Sequence, residues 1–268
     1  SSGYVTRHVG KCHVGADKFI QAFGENDHPW DRWAPPVWDD DAYHAYLERI
    51  GVDGIKLTRK ISGLRQDRRT EGNFYGAWLE QPDGEPFPME GTYPYYLAVR
   101  AAETLRMARG RSAAGDEKPL YLQLDFFAPH QPFFIPSGME GREEALREAI
   151  DLPASYHEAA EADFGLLPGE PKIYGLYRKA HGLYHEETVK DYIVANLLQM
   201  EVIDAALGVF FDALREEGLW SATRRGGDEA MILFFADHGE MNGERALVDK
   251  GTYAHPKVAQ VPLWISPP

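Results

Sequence analysis

The sequence has little of three things: cysteine, positive charge and long apolar runs. Its single cysteine, Cys12, excludes an internal disulfide framework and a metal site built from several cysteines. The formal net charge of -14 argues against non-specific nucleic-acid binding, which needs a surplus of Lys and Arg to displace phosphate counterions. No stretch is predicted to span a membrane, and the first residues carry no signal-peptide pattern. Binding of a small anionic ligand is compatible with the negative net charge, because such a ligand responds to the local electric field of its pocket.

The rest of the composition is that of an ordinary globular protein. Hydrophobic residues make up 44% and charged residues 26% of the 268 residues. A chain of this length can bury a large core, and it predicts one large domain or two small ones. We therefore treat residues 1–268 as a single folded unit.

Strand-like and helix-like segments alternate along the chain. A β-prone piece within Gly3–Gly15 is followed by a helical pattern over Tyr95–Ala108, an apolar run over Pro119–Phe127, a second helical pattern over Thr188–Leu214 and a final apolar run over Met231–Phe235. This order predicts an α/β fold with a mostly parallel or mixed central sheet and helices on both faces.

Two stretches do not follow this alternation. Residues 19–91 are rich in Trp, Pro, Asp and Gly, with a short helical candidate at Asp40–Arg49, and residues 136–186 are acidic and punctuated by Pro and Gly. We predict irregular insertions in both places, with one or two short helices in the second. Long insertions in a compact domain commonly face a substrate.

The apolar run Met231–Phe235 leads to a carboxylate and an imidazole, Asp237 and His238. An apolar run without alternation predicts a strand that is covered on both faces, as in a parallel sheet. Ligands of such sheets bind where strands end at their carboxyl edge. Asp beside His suits metal binding or proton transfer, and Gly239 would permit a tight turn. The pair taken alone is equally typical of a structural turn at a strand end.

Three other segments supply basic side chains. Lys11 and His13 follow the first strand, His130 stands between two prolines after the second apolar run, and Lys250 lies in a later loop. Together with the Asp–His pair, these groups can bind a tetrahedral oxyanion beside a metal ion, with a histidine available as a general acid. Taken singly, the lysines are typical of solvated surface residues and His130 of a packed loop histidine. His13 could instead act with Cys12 in thiol chemistry.

These segments resemble motifs of the sulfatase family, in the alkaline-phosphatase-like superfamily. Each motif is short, but their shared order over almost the whole chain makes the joint match specific. The matched segments are 3–15, similar to G-Y-x-T-x-x-x-G-K-W-H-x-G with Cys12 in the place of Trp; 129–133, similar to P-H-x-P-F; 236–240, similar to S-D-H-G-E; 250–252, similar to K-G-T; and 261–263, similar to V-P-L.

The resemblance implies an alkaline-phosphatase-like fold and hydrolysis of a small anionic sulfate ester. Lys11 and Lys250 would hold the sulfate oxygens, His13 would contact the hydroxyl of the nucleophile, and His130 would bind at the leaving-group oxygen. A lysine ammonium is a compact point charge that suits an oxyanion. An imidazole with a pKa near neutral can protonate a departing alkoxide.

The resemblance also implies a metal site. Asp237 and His238 would be two ligands of one divalent cation, usually calcium in sulfatases, with magnesium or manganese as alternatives. The family completes this site with two aspartates near its amino terminus, and this sequence does not contain that pair.

The family's nucleophile is also absent from this sequence. It is a formylglycine made from Cys or Ser in a C/S-x-P-x-R motif upstream of the segment that contains Lys11. Cys12 does not match, because Pro and Arg do not follow it. We interpret the chain as an internal part of a sulfatase catalytic domain, cut at both ends and expected to be inactive alone. A phosphonate monoester or phosphodiester hydrolase and a non-catalytic relative are the alternatives.

Overall fold

The computed structural model describes residues 3–13, 15–23, 25–30, 34–113, 115, 118–221 and 230–268. The strands are β1 (Val5–Lys11), β2 (Glu25–Trp30), β3 (Lys56–Leu64), β4 (Glu71–Glu80), β5 (Leu120–Asp125), β6 (Phe133–Pro136), β7 (Ile232–Phe235) and β8 (Leu263–Ser266). The α-helices are α1 (Ala16–Ala22), α2 (Asp41–Arg49), α3 (Tyr93–Ala113), α4 (Glu140–Ala149), α5 (Ala154–Glu161), α6 (Lys172–His181), α7 (Glu186–Glu216) and α8 (Pro256–Ala259). Short 3-10 helices cover Met89–Gly91 and Glu244–Ala246.

The predicted α/β class with parallel and mixed sheets is confirmed. The described strands form three sheets, ordered β2-β1-β5, β3-β4-β6 and β7-β8. The first sheet is parallel throughout, and β1 and β5 run side by side from the pair Val5 and Leu120 to the pair Gly10 and Asp125. The second sheet is mixed, because β3 and β4 are antiparallel and β6 is parallel to β4. The loops after β1 and β5 therefore leave the first sheet at the same edge.

The longest helix, α7, forms the centre of the core. It packs against α3, β3 and β6. Its apolar side chains recur every three or four residues, so that Tyr192, Ala195, Leu198 and Val202 are all buried. Burial of each large apolar side chain contributes about 1.5–3 kcal/mol relative to an exposed one. This face holds α7 rigidly beneath the loop that joins β5 to β6.

Helix α7 also has the length and composition of a membrane-crossing helix, and it is the only such helix among the described residues. The sequence analysis predicted no such stretch. Only part of the helix, 44% of its most apolar window, is buried inside the protein. Its buried face includes Asn196 and Gln199, whose amides bond to neighbouring loops and strands. We interpret α7 as the core helix of the fold.

Regular elements fill much of the stretch 19–91, which the sequence analysis expected to be irregular. The predicted helix begins where expected, because Asp40 caps α2 by accepting hydrogen bonds from the backbone N–H groups of Ala42 and Tyr43. Strands β3 and β4 then pair along most of their length. Trp78 and Leu79 of β4 are buried, so tertiary packing stabilises a strand pair that local composition does not reveal. The stretch 136–186 contains all of α4, α5 and α6, which is more than the one or two short helices that were expected.

Strand β7 differs from its prediction. It pairs antiparallel with β8, with Phe235 opposite Leu263. Leu233 is 54% and Phe235 63% exposed, so the expectation of a strand covered on both faces was wrong for the described residues. A two-stranded ribbon covers neither of its own faces, and an apolar run in the sequence does not specify which strands will pair with it.

His181, at the end of α6, is a buried histidine outside the predicted site. Its Nε2 lies 3.0 Å from the Tyr253 hydroxyl. Burial lowers its pKa to about 4. Because the folded-state pKa lies below the unfolded value, the stability that His181 contributes is present above about pH 6.5 and is lost as the pH falls toward about 4.

We therefore expect His181→Gln to flatten the pH dependence of stability. The measurement is urea unfolding of both proteins at about pH 7.5 and about pH 4.5, where the native protein should lose roughly 2–3 kcal/mol more than the variant. Equal losses in the two proteins would show that His181 is not held neutral by the fold.

Candidate active site

Three of the predicted site residues meet beyond the ends of β5 and β7. Lys250 Nζ is hydrogen-bonded to His130 Nε2, and the rings of His130 and His238 pack edge to face with their centroids 5.7 Å apart. Lys11 lies nearby, with its Nζ 4.5 Å from the centre of the Phe127 ring, and the same ring packs against His130 at 5.0 Å. The structure thus brings residues from four separate segments into one basic cluster.

His130 is held from both sides of its ring. It follows Pro129 and precedes the Gln131–Pro132 peptide, and both X-Pro bonds are cis. Its Nδ1 lies 2.7 Å from the Gln131 carbonyl oxygen, which can only accept, so Nδ1 carries the proton and donates. Nε2 therefore carries the lone pair of the ring, and it accepts a hydrogen bond from the Lys250 ammonium.

His130 is neutral in this environment. Burial is the largest cause that lowers its pKa to about 4, and the positive charges of Lys250 and Lys11 lower it further. The Gln131 carbonyl and the Asp249 carboxylate act in the opposite direction and are outweighed. The sequence analysis expected an imidazole with a pKa near neutral, and this expectation was wrong because it could not include burial beside two cations.

Asp249 positions the lysine of this cluster. Its Oδ1 accepts from the backbone N–H of Lys250 at 2.6 Å and lies 3.5 Å from Lys250 Nζ. Burial by itself would raise the pKa of Asp249, but that N–H, the Lys250 ammonium, His130 and the Gln131 amide together lower it. A half-buried carboxylate therefore lies beside the Lys250 ammonium and offsets part of the positive charge of the cluster.

The predicted metal-ligand pair lies at the rim of the cluster. His238 Nδ1–H donates to the Gly239 carbonyl at 2.8 Å, and its Nε2 lies 3.7 Å from Asp237 Oδ1. The Asp237 side chain is 87% exposed. An oxygen and a neutral imidazole nitrogen side by side are suitable metal ligands. Within the described part of the chain, no group of three His, Cys, Asp or Glu residues could hold a metal ion.

Gly239 is required for a different reason than the sequence suggested. Its φ is not in the left-handed region, and a Cβ at this position would lie 1.9 Å from the Lys257 carbonyl oxygen. The backbone N–H of Gly239 donates to the Val258 carbonyl at 2.8 Å. A side chain is therefore excluded because α8 approaches the backbone closely.

His13 is placed differently from the other predicted residues. It is exposed, whereas the neighbouring Cys12 is buried. The contact of His13 with a nucleophile hydroxyl stays a prediction.

Several polar residues around the cluster were not assigned a role from the sequence. Glu240 is half-buried, and desolvation of its carboxyl group, followed by the charge of Asp249, raises its pKa to about 7. Tyr192, Asn196 and Gln131 are buried and hydrogen-bonded to the same loops. The sequence did contain an indication of a role for Tyr192 and Asn196. Both lie on the apolar face of a predicted helix, where a polar side chain needs a hydrogen-bond partner.

The sequence resembles curated sulfatases over its whole length. It is 26% identical over 277 aligned residues to the uncharacterized sulfatase YidJ of Escherichia coli (strain K12), and the match covers 100% of this chain and 45% of that protein. It is 24% identical over 267 residues to an arylsulfatase of Clostridium perfringens (strain 13 / Type A), covering 100% of this chain and 50% of the relative. No family model matches the sequence. The chain spans about half the length of these relatives.

A solved structure shares the fold. The phosphonate monoester hydrolase SpPMH of Silicibacter pomeroyi superposes with a TM-score of 0.56 at 17% sequence identity, over 92% of this chain and 44% of that one. At this identity the similarity concerns the fold alone. It agrees with the α/β architecture built above from the strand order.

Proposed function

We propose that this chain is a sulfatase-like member of the alkaline-phosphatase-like superfamily and that it supplies the oxyanion-binding part of a sulfuric ester hydrolase. The observation that carries the proposal is the contact between His130 and Lys250, with Lys11 close enough to influence the same imidazole. Two ammonium groups around a neutral imidazole create a local positive field in a protein with a formal charge of -14. Such a field favours a small anion over a neutral ligand.

Lys250 is the proton donor of this pair in our proposal. Because His130 Nδ1–H is engaged by the Gln131 carbonyl and Nε2 accepts from Lys250, the only proton between the two side chains belongs to the ammonium group. A sulfate oxygen or a leaving-group oxygen that displaces His130 from this bond would receive it. His130 therefore orients the ammonium group until the oxygen arrives, and the general acid is Lys250, which becomes a neutral amine when it protonates the leaving-group oxygen.

Asp237 and His238 would hold a divalent cation at the same site. The carboxylate oxygen suits calcium, magnesium or manganese, and His238 Nε2, the ring nitrogen that does not contact the Gly239 carbonyl, would add a nitrogen ligand. When bound, the cation would neutralise negative charge on an ester oxygen. The edge-to-face contact between His238 and His130 brings this pair of ligands next to the contact between His130 and Lys250.

We further propose that the formylglycine nucleophile and the remaining metal ligands come from sequence outside these 268 residues. The chain contains no C/S-x-P-x-R motif, and its relatives are about twice as long. The chain by itself is expected to bind an oxyanion without cleaving an ester.

A second candidate function is hydrolysis of phosphonate monoesters or phosphodiesters. The Lys11 and Lys250 ammonium groups do not distinguish a sulfur from a phosphorus centre, because both esters present tetrahedral anionic oxygens. A protein with the same fold is named as a phosphonate monoester hydrolase. The sequence relatives named as sulfatases favour the sulfate ester as the first choice.

The function is tested by hydrolysis of matched esters by the complete enzyme. We expect kcat/KM for an aryl sulfate to exceed that for the corresponding aryl phosphonate monoester, and we expect this 268-residue chain alone to cleave neither. The reverse preference would select the second candidate. Cleavage by the chain alone, at the rate of the complete enzyme, would show that the nucleophile lies within it.

A further inference from the structure

Helix α7 carries polar side chains on its buried face. Tyr192, Asn196 and Gln199 are no more than 3% exposed, and they recur at steps of four and three residues, so they lie along one side of the helix. A buried amide or hydroxyl without a partner is costly, so each of them should be bonded to something specific. Their hydrogen-bond partners fall into two groups. Gln199 bonds to strand β6, whereas Tyr192 and Asn196 bond to the loops of the candidate site.

Asn196 joins two of these loops through a single amide. Its Nδ2 donates to the Pro129 carbonyl at 2.9 Å, immediately before His130. Its Oδ1 accepts from Asn242 Nδ2 at 3.1 Å, in the segment that follows His238. Because an amide has a donor and an acceptor at a fixed separation, this one side chain sets the distance between the two loops.

Tyr192 and Glu240 extend the connection to the lysine. The Tyr192 hydroxyl lies 3.2 Å from Gln131 Oε1 and 3.3 Å from Glu240 Oε2. Glu240 Oε1 accepts from the backbone N–H groups of Asn242 and Asp249. The Asp249 carboxylate in turn receives the backbone N–H of Lys250. Hydrogen bonds thus connect α7 to the loops that carry His130, His238 and Lys250.

We infer that Asn196 is a positioning residue, which holds the His130 loop against the Asp237–Asn242 segment so that His130, His238 and Lys250 face one anion. Asn196 touches none of the groups assigned to substrate or metal, and it acts through Pro129 and Asn242. This inference rests on the proposed function for its consequence on anion binding. The placement of the His130 and His238 rings relative to each other, which is the geometric part of the inference, does not depend on that function.

The experiment compares two variants with a matched control in this chain. Asn196→Leu removes both hydrogen bonds from the helix side. Asn242→Gly removes one of them from the loop side, and glycine tolerates the positive φ of 43° at that position, so it serves if Asn196→Leu does not fold. The control is Gln199→Leu, which deletes an equally buried amide whose partner is the Phe134 backbone N–H of β6.

Two measurements are made on each protein, the nuclear Overhauser contact between the His130 and His238 rings and the dissociation constant for inorganic sulfate by calorimetry. We expect Asn196→Leu and Asn242→Gly to lose the ring contact and to weaken sulfate binding about 10-fold or more, as removal of supporting hydrogen bonds commonly does. Gln199→Leu should lower the melting temperature while both readouts stay unchanged.

Each outcome decides the inference. If the ring contact persists in both site variants, or is lost equally in Gln199→Leu, Asn196 has only a general structural role and the inference is wrong. If the unaltered chain does not bind sulfate, the proposed oxyanion site fails, and the ring contact alone still decides whether Asn196 positions the loops.

Discussion

Asp237→Ala is expected to abolish ester hydrolysis by the complete enzyme and to remove most of its affinity for a divalent cation. The Asp237 side chain is 87% exposed and only approaches His238, so its loss removes an anionic oxygen ligand and little packing. A hard cation that loses such a ligand loses both charge and geometry. We expect kcat/KM to fall by more than about 100-fold, beyond the usual effect of losing an outer-shell partner. Steady-state kinetics and calorimetric titration with calcium, magnesium and manganese measure the two effects.

Asp204→Ala is the matched control for this change. Asp204 is an exposed aspartate on α7, and its replacement alters the net charge by the same amount. Its metal affinity, activity and melting temperature should match those of the native enzyme. The assignment of Asp237 as a metal ligand would be refuted if Asp237→Ala bound all three metals as tightly as the control.

Lys250→Met should cause a comparable loss of activity for a different reason. It removes the ammonium that bonds to His130 Nε2, while methionine keeps most of the apolar length of the side chain. Loss of one donor aimed at an oxyanion typically costs about 10²–10³ in kcat. The affinity for the divalent cation should be unchanged, because Lys250 is not a ligand in our proposal. Kinetics and metal titration on the same protein separate this variant from Asp237→Ala.

The same substitution should raise the pKa of His130. Burial is the main cause of its low value of about 4, and the charge of Lys250 is a further one, so the pKa should rise part of the way toward 6.5. An NMR titration of the His130 ring in this chain measures it. Lys257→Met, at an exposed lysine of α8, is the control and should leave the titration unchanged. A His130 titration identical in native chain and Lys250→Met would contradict the contact between the two side chains.

The positioning role inferred for Asn196 connects these predictions. His130, the partner of Lys250, lies 120 residues before it in the sequence. Helix α7 contacts the His130 loop through Pro129 and the segment after Asp237 through Asn242. If Asn196→Leu loses both activity and metal affinity, it resembles Asp237→Ala. If it loses activity but keeps its metal affinity, it resembles Lys250→Met. The comparison indicates which loop depends more strongly on the helix.

Residue type and residue order were sufficient to predict several members of the candidate site from the sequence. Lys250, His130 and His238 were chosen as residues at the ends of apolar runs or in short motifs, and the structure brings these three together. His13 belonged to the same pattern and is exposed. A motif fixes the order of residues along the chain, whereas contact depends on how the loops turn.

The environment of each group could not be predicted. The sequence predicted a histidine that titrates near neutral pH, but burial beside two lysines keeps His130 neutral down to about pH 4. The hydrogen-bond partners of Asn196 and Glu240 could not be predicted from the sequence, because hydrogen bonds between a helix and two loops depend on distances across the fold. The short apolar run of β7 gave the strand but not its antiparallel partner, because pairing is a tertiary property.

The sequence by itself determined the α/β class, the central helix α7 and the set of basic and acidic groups available for chemistry. These follow from periodicity and residue type, which act locally. Only the tertiary structure decided which of those groups meet, which one carries the proton between His130 and Lys250, and which buried amide holds their loops. The physical reason is that pKa values and hydrogen-bond networks depend on burial and on neighbours that lie far away along the chain.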